Sequence, residues 1–129
     1  MRDYTQFYIN GQWADPVTPK TLDVLDPSTE EVCAMISLGA EADVDMAVAA
    51  AKAAFEPFSQ TSVEERVGML ERMAEIFQRR IGEFAEAVRL EMGAPIKLAS
   101  TAQAYAGLGH IIEAAKILKT YSFTEDLGP

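Results

Sequence analysis

Cysteine and histidine are almost missing from this chain: Cys33 and His110 stand alone of their kinds among 129 residues. A single thiol has no internal partner, so no disulfide framework exists and a reducing compartment is favoured. One imidazole far from that thiol cannot complete a tetrahedral zinc site. Basic residues are also scarce, 11 against 20 acidic, for a net charge of −9. Those present are mixed with acids, so a polyanion is repelled at long range and nucleic acid is not an expected partner. No apolar run approaches the roughly 20 residues that a membrane span needs. The start, Met1-Arg2-Asp3-Tyr4-Thr5-Gln6, has neither an apolar signal core nor an arginine-rich transit pattern. The expected location is the cytoplasm. A phosphate loop of the G-K-[ST] kind is absent as well.

What is present is an ordinary globular composition, 49% hydrophobic and 24% charged. The first forty residues alternate short β-rich runs with turns. Phe7-Tyr8-Ile9 precedes Asn10-Gly11, a strong short hairpin signal, and Gln12-Trp13 forms the return. Thr21-Leu22-Asp23-Val24-Leu25 alternates polar and apolar residues as a half-buried strand does. Asp26-Pro27-Ser28-Thr29-Glu30 reads as a turn, and Val32 to Ile36 as an apolar strand ending near Leu38-Gly39.

The period then changes from two to 3.6. Val44, Ala47, Val48, Ala51, Phe55 and Phe58 share one helical face, Glu41 and Asp43 suit the positive helix start, and Pro57 is expected to end the helix. Ser62-Val63-Glu64-Glu65 matches a capping box. The stripe Val67, Leu70, Ala74, Phe77, Ile81, Phe84 and Val88 predicts a second long helix, kinked at Gly82 and stopped at a left-handed Gly93. Pro95 suits the first turn of a third helix running to Thr120, weakened by Gly107 and Gly109. Strands and turns therefore occupy residues 1–39, three amphipathic helices residues 40–120, and an aperiodic tail residues 121–129.

Several of these segments together resemble the aldehyde dehydrogenase superfamily. Phe7 to Trp13 resembles its opening hairpin, and Val24-Leu25-Asp26-Pro27-Ser28-Thr29-Glu30-Glu31-Val32 is similar to its V-N-P-x-T-G-E-V turn. Ala42 to Phe55 resembles its first helix; Glu64-Glu65-Arg66 and Leu90-Glu91-Met92-Gly93-Ala94-Pro95 match its second helix and stop. The departures are Asp26 for Asn, Glu30 for Gly, Ala94 for Lys, and Gly107-Leu108-Gly109-His110 in place of a tyrosine-rich run. They bear on the substrate subgroup. The implied fold is α/β, with this chain as the amino-terminal flank of the coenzyme-binding domain, its helices covering a parallel sheet that the chain does not itself contain.

The implied chemistry is oxidation of an aldehyde to a carboxylic acid with NAD or NADP. It proceeds through a thiohemiacetal on a cysteine, hydride transfer to nicotinamide and thioester hydrolysis. In the family the thiol, the base and the dinucleotide cleft lie downstream of the region matched here, so no catalytic or cofactor-binding residue is assigned and the chain alone is expected to be inactive. Substitutes are lacking. Cys33 sits in an apolar strand and reads as a small hydrophobe. His110 has no ligand or triad partner at useful spacing. Gly107-Leu108-Gly109 opens a G-x-G-x-x-G pattern, but Ile112 closes it and no strand precedes it.

Two sites carry over by resemblance. The carbonyls of Val24 and Leu25 with the Glu91 carboxylate correspond to a monovalent cation site, a hard-oxygen donor set. Ala102, Gln103 and Ala106 correspond to the face that lines the aldehyde access tunnel. Counting apolar faces leaves several hundred Å² unburied, of order 400 Å², so the chain is expected to form a homo-oligomer. A second reading remains open, that of a free-standing, non-catalytic strand-plus-helix interaction module derived from such a domain.

Overall fold

A computed structural model describes residues 2–128. Five short strands lead the chain: β1 (Arg2–Tyr4), β2 (Phe7–Ile9), β3 (Gln12–Ala14), β4 (Thr21–Leu25) and β5 (Val32–Ser37). Helices α1 (Glu41–Ser59), α2 (Val63–Arg79), α3 (Ile81–Met92), α4 (Ile96–Leu98) and α5 (Ala104–Thr120) follow. The chain divides into two compact units, Met1–Gln60 with Leu90–Gly93, and Thr61–Arg89 with Ala94–Pro129.

In the first unit β2 and β3 form an antiparallel hairpin. Its turn needs two left-handed residues, which Asn10 (φ 53°) and Gly11 (φ 76°) supply, as the Asn-Gly pair predicts. A separate sheet has the order β1-β5-β4, with β5 parallel to β1 and antiparallel to β4. β1 has no counterpart in the sequence reading. Its partner is 32 residues away, in the pairing of Arg2 with Ala34, and a three-residue run offers no period of its own.

α1 starts where Asp43 fixes it. The carboxylate accepts the N–H of Ala40 at 2.8 Å and that of Val17 at 2.9 Å, so one buried side chain holds both the helix start and the preceding loop. These two donors stabilise the ionised form and hold the Asp43 carboxyl below its ordinary pKa. Pro57 does not end α1; the helix continues to Ser59 with Pro57 in its last turn. The missing N–H removes one bond near the helix end, a smaller loss than in mid-helix. The apolar face expected to turn inward is open instead, with Phe55 72% and Val44 57% exposed.

In the second unit the capping box forms as read: Ser62 Oγ accepts the Glu65 N–H at 3.1 Å, and Glu65 Oε2 accepts the Ser62 N–H at 2.7 Å. The long helix expected from there to Gly93 is two helices. The break falls at Arg80 (φ −103°, ψ 14°), two residues before Gly82. Arg80 donates through Nε and Nη2 to both carboxylate oxygens of Glu83, and Phe77 stacks on Phe84 across the break with centroids 3.8 Å apart. The turn is therefore stabilised by side chains on both sides of it, while Gly82 contacts nothing with its missing Cβ. Arg80 and Glu83 reinforce each other's charged state: the hydrogen bond raises the guanidinium pKa and lowers that of the carboxyl.

The core of this unit is Ala85, Ala99 and Ala104, with Ile81, Val88 and Ala94 against them. Small side chains let helices approach closely. Gly107 shows the same economy: a Cβ there would stand 3.0 Å from the Phe77 ring. That contact explains the glycine as a packing residue in mid-helix, not part of a phosphate loop.

Candidate functional site

The turn after β4 is built on Asp26, which is 7% exposed. Its Oδ1 accepts the Ser28 N–H at 2.8 Å and the Ser28 hydroxyl. Its own N–H donates to the Glu31 carbonyl, and its carbonyl accepts from Thr29 and Glu30. The chain reverses through Glu30 at φ 61°, a left-handed conformation that a side chain tolerates at a cost of about 1 kcal/mol. This is the position where the superfamily pattern has glycine.

α3 ends on the same turn. Gly93 adopts φ 64°, as its stop signal predicts, and a Cβ on it would lie 3.1 Å from Pro27 Cγ. Both left-handed backbone and close approach therefore demand glycine here. The contact brings the end of α3, with Glu91, into the unit that holds Val24 and Leu25. β4 and β5 lose register between Val24 and Leu25: Val24 pairs with Ala34, Leu25 with Val32, and Cys33 is left over. The Cys33 thiol donates to the Val24 carbonyl at 3.4 Å. Val24 is half-buried, Leu25 is 55% exposed and Glu91 is exposed. Among the described residues no three His, Cys, Asp or Glu side chains gather as a metal group.

The second predicted face lies where α4 meets α5, and the helix there is not regular. Ala99–Gln103 forms a π turn, in which the Ala104 N–H reaches back five residues to the Ala99 carbonyl. Ser100 and Thr101 hydroxyls donate to the Ile96 and Lys97 carbonyls at 2.7 and 2.6 Å, satisfying acceptors around the widened turn. Ala102 and Ala106 are exposed; Gln103 is half-buried, and its Oε1 has no hydrogen-bond partner. Sequence reasoning named these three residues and missed the π turn. The adjacent Ser100-Thr101 pair, able to bond back to i−4 carbonyls, was the available signal.

Gly107 and Gly109 lie inside α5, and among the described residues no helix begins directly after a strand with a glycine-rich turn. Cys33 is half-buried in β5 and His110 is exposed on α5. No helix among the described residues is long and apolar enough to cross a membrane.

The model of the aldehyde dehydrogenase family matches residues 13–126. A 3-succinoylsemialdehyde-pyridine dehydrogenase of a Pseudomonas species is 47% identical over 129 residues, which is 99% of this chain and 27% of that protein. A putative aldehyde dehydrogenase of Staphylococcus aureus is 39% identical over 128 residues, again 27% of its length. Among solved structures, an aldehyde dehydrogenase from Bartonella henselae superposes with a TM-score of 0.95 at 48% identity, covering 98% of this chain and 27% of that one. Aldehyde dehydrogenase C of Pseudomonas syringae, solved as a mutant with NAD+ and octanal, gives 0.92 at 43% identity, covering 96% and 26%. The chain thus spans about 27% of the length of the curated relatives it matches.

Proposed function

This chain belongs to the aldehyde dehydrogenase family, in whose α/β fold it matches the amino-terminal portion, and on that premise we propose that it serves an oxidoreductase that converts an aldehyde to a carboxylic acid with NAD or NADP. The observation that carries the reading is the superposition at a TM-score of 0.95 over 98% of the chain. A relative bound to NAD+ and octanal supports the coenzyme and the substrate class. The thiol, the base and the coenzyme cradle are assigned to the portion of the relatives' length that this chain does not span. Its own part is to flank the coenzyme-binding domain. The Val24 and Leu25 carbonyls with Glu91 make a monovalent cation site, which the break in register beside Val24 supports by taking that stretch out of a regular ladder. Ala102, Gln103 and Ala106 line the aldehyde path, a reading in keeping with the exposure of Ala102 and Ala106; the Gln103 Oε1 is buried without a hydrogen-bond partner.

The test is NAD(P)H formation with a panel of aldehydes, by the 129-residue chain and by the product of its native gene. The chain alone should show no turnover. A longer product that oxidises aldehydes bears the reading out; a native product that binds partners and never reduces coenzyme favours the interaction module, which the open face of α1 recommends. Turnover by the short chain that disappears in Cys33→Ser would overturn the structural role given to Cys33.

A further inference from the structure

Asn10 is the only asparagine among the 129 residues, and a glycine follows it. The two form the whole loop between β2 and β3: Ile9 pairs with Gln12, and the chain reverses through Asn10 at φ 53° and Gly11 at φ 76°. In a two-residue loop of this kind the N–H of the second residue stands outside the strand ladder. Asn10 is exposed at the rim of the open groove between the hairpin and α1, and a Cβ on Gly11 would meet nothing within 4 Å. No packing therefore shields the Gly11 nitrogen from the Asn10 side chain. The hairpin is also a weak one. It is a sheet of two strands, three residues each, that does not join the β1-β5-β4 sheet, and such a hairpin is marginal in water. Its side-chain ties, Gln6 to Asp15 at 2.9 Å and Tyr8 against Trp13, lie at the open end and in the middle, away from the turn.

We propose that Asn10 is a site of spontaneous modification, where the chain deamidates itself and in doing so dismantles its first hairpin. The Gly11 nitrogen attacks the Asn10 Cγ, forming a five-membered imide. The side-chain nitrogen leaves as ammonia, and the Gly11 N–H proton passes to water. Water then opens the ring. Breaking the bond from Cγ to the Gly11 nitrogen gives aspartate. Breaking the bond from the main-chain carbonyl carbon instead gives isoaspartate, with the backbone routed through Cβ and Cγ and a free α-carboxylate. Water is the one reactant consumed. Closing the imide requires Asn10 to leave its left-handed conformation, so the reaction waits on opening of the turn, and the weakness of the hairpin sets the rate. The two products differ in consequence. Aspartate before glycine suits the same turn, whereas isoaspartate adds a backbone atom to a loop whose two residues fix the pairing of Ile9 with Gln12. Either product adds a negative charge to a chain already at −9.

The test is incubation of the product of the native gene in warm, mildly alkaline buffer, with and without urea, followed by peptide mapping. The peptide holding Asn10 should gain roughly one dalton, the exchange of an amide for a carboxyl. Its rate in the folded chain should lie within about tenfold of that in urea, as a low-cost local opening allows. Methylation by an isoaspartyl methyltransferase separates isoaspartate from aspartate. Amide hydrogen exchange across Phe7 to Ala14 should run about tenfold faster in the isoaspartyl product, and at the parent's rate in Asn10→Asp. Asn10→Gly keeps a turn that accepts positive φ at both positions and should show no mass gain. An Asn10 that stays intact in the folded chain while it converts in urea overturns the proposal. So does an isoaspartyl product whose hairpin exchanges no faster than the parent's, or a mass gain that persists in Asn10→Gly.

Discussion

α1 and α5 are nearly equal in length, 19 and 17 residues, and both are rich in alanine. α5 buries Ala104, Leu108 and Ala115 and packs along α2, with Lys119 reaching Glu71 at 2.6 Å. α1 buries a single residue, and that residue is an acid. The contrast extends to the units. Among the described residues, both buried carboxylates, Asp26 and Asp43, belong to the first, whose one buried hydrophobic residue is Ala34. Val67, Ala85, Ala99, Ala104, Leu108 and Ala115 belong to the second. One unit is held by hydrogen-bonded turns and strand pairing, the other by side chains packed against side chains. An amphipathic pattern is therefore an offer of burial; what meets it decides whether the offer is used.

The contrast breaks first where packing is removed. Leu108→Ala should cost about 2–4 kcal/mol in urea denaturation followed by helical circular dichroism, the usual penalty for a buried leucine. Phe55→Ala, at a side chain 72% exposed, should cost less than about 0.5 kcal/mol despite deleting a larger side chain. Equal losses would show that exposure in the monomer does not distinguish the two helices.

Acid should act on the first unit through Asp43. Its pKa is lowered in the folded state by the N–H groups of Ala40 and Val17. Its contribution is complete above the ordinary carboxylate value near 4 and is lost as pH falls through the lowered value. Asp43→Asn should reduce the melting temperature at neutral pH and flatten the acid limb of its pH profile. Fluorescence of Trp13, the only tryptophan and a member of the same unit, is the measurement of choice. A variant whose acid limb keeps the parent's slope would assign that limb elsewhere. The smallest effect has the opposite sign. Glu30→Gly should stabilise by about 0.5 kcal/mol, since relief at φ 61° slightly exceeds the entropy that glycine adds to the unfolded chain. A loss on the same urea assay would mean that the side chain offsets its own strain.

Local chemistry was legible. Asn10-Gly11 specified its hairpin, Ser62 with Glu65 its cap, and Gly93 its left-handed stop, because each signal is complete within four residues. The break at Arg80 was not, since a stacked pair seven residues apart and a bidentate ion pair decide it, while Gly82, the weaker helix former, stays helical. Pro57 misled for a related reason: its effect depends on how much helix follows, and only two residues do. The candidate-site residues came from the family resemblance, which gave neither the register break beside Val24 nor the unpartnered Gln103 oxygen.

The π turn at Ala99–Gln103 has a consequence for how this helix tolerates change in length. An N–H that reaches back five residues where four would do marks one surplus residue in an otherwise α-helical path. Ala99, wholly buried, and Leu108, nearly so, are set on either side of that surplus. Losing a residue within α5 would rotate everything beyond it by about 100° relative to what precedes it. Losing Thr101 would instead let the widened turn tighten to an ordinary one, with the helix on each side keeping its phase. The segment is the place where this chain can shorten without scrambling its core.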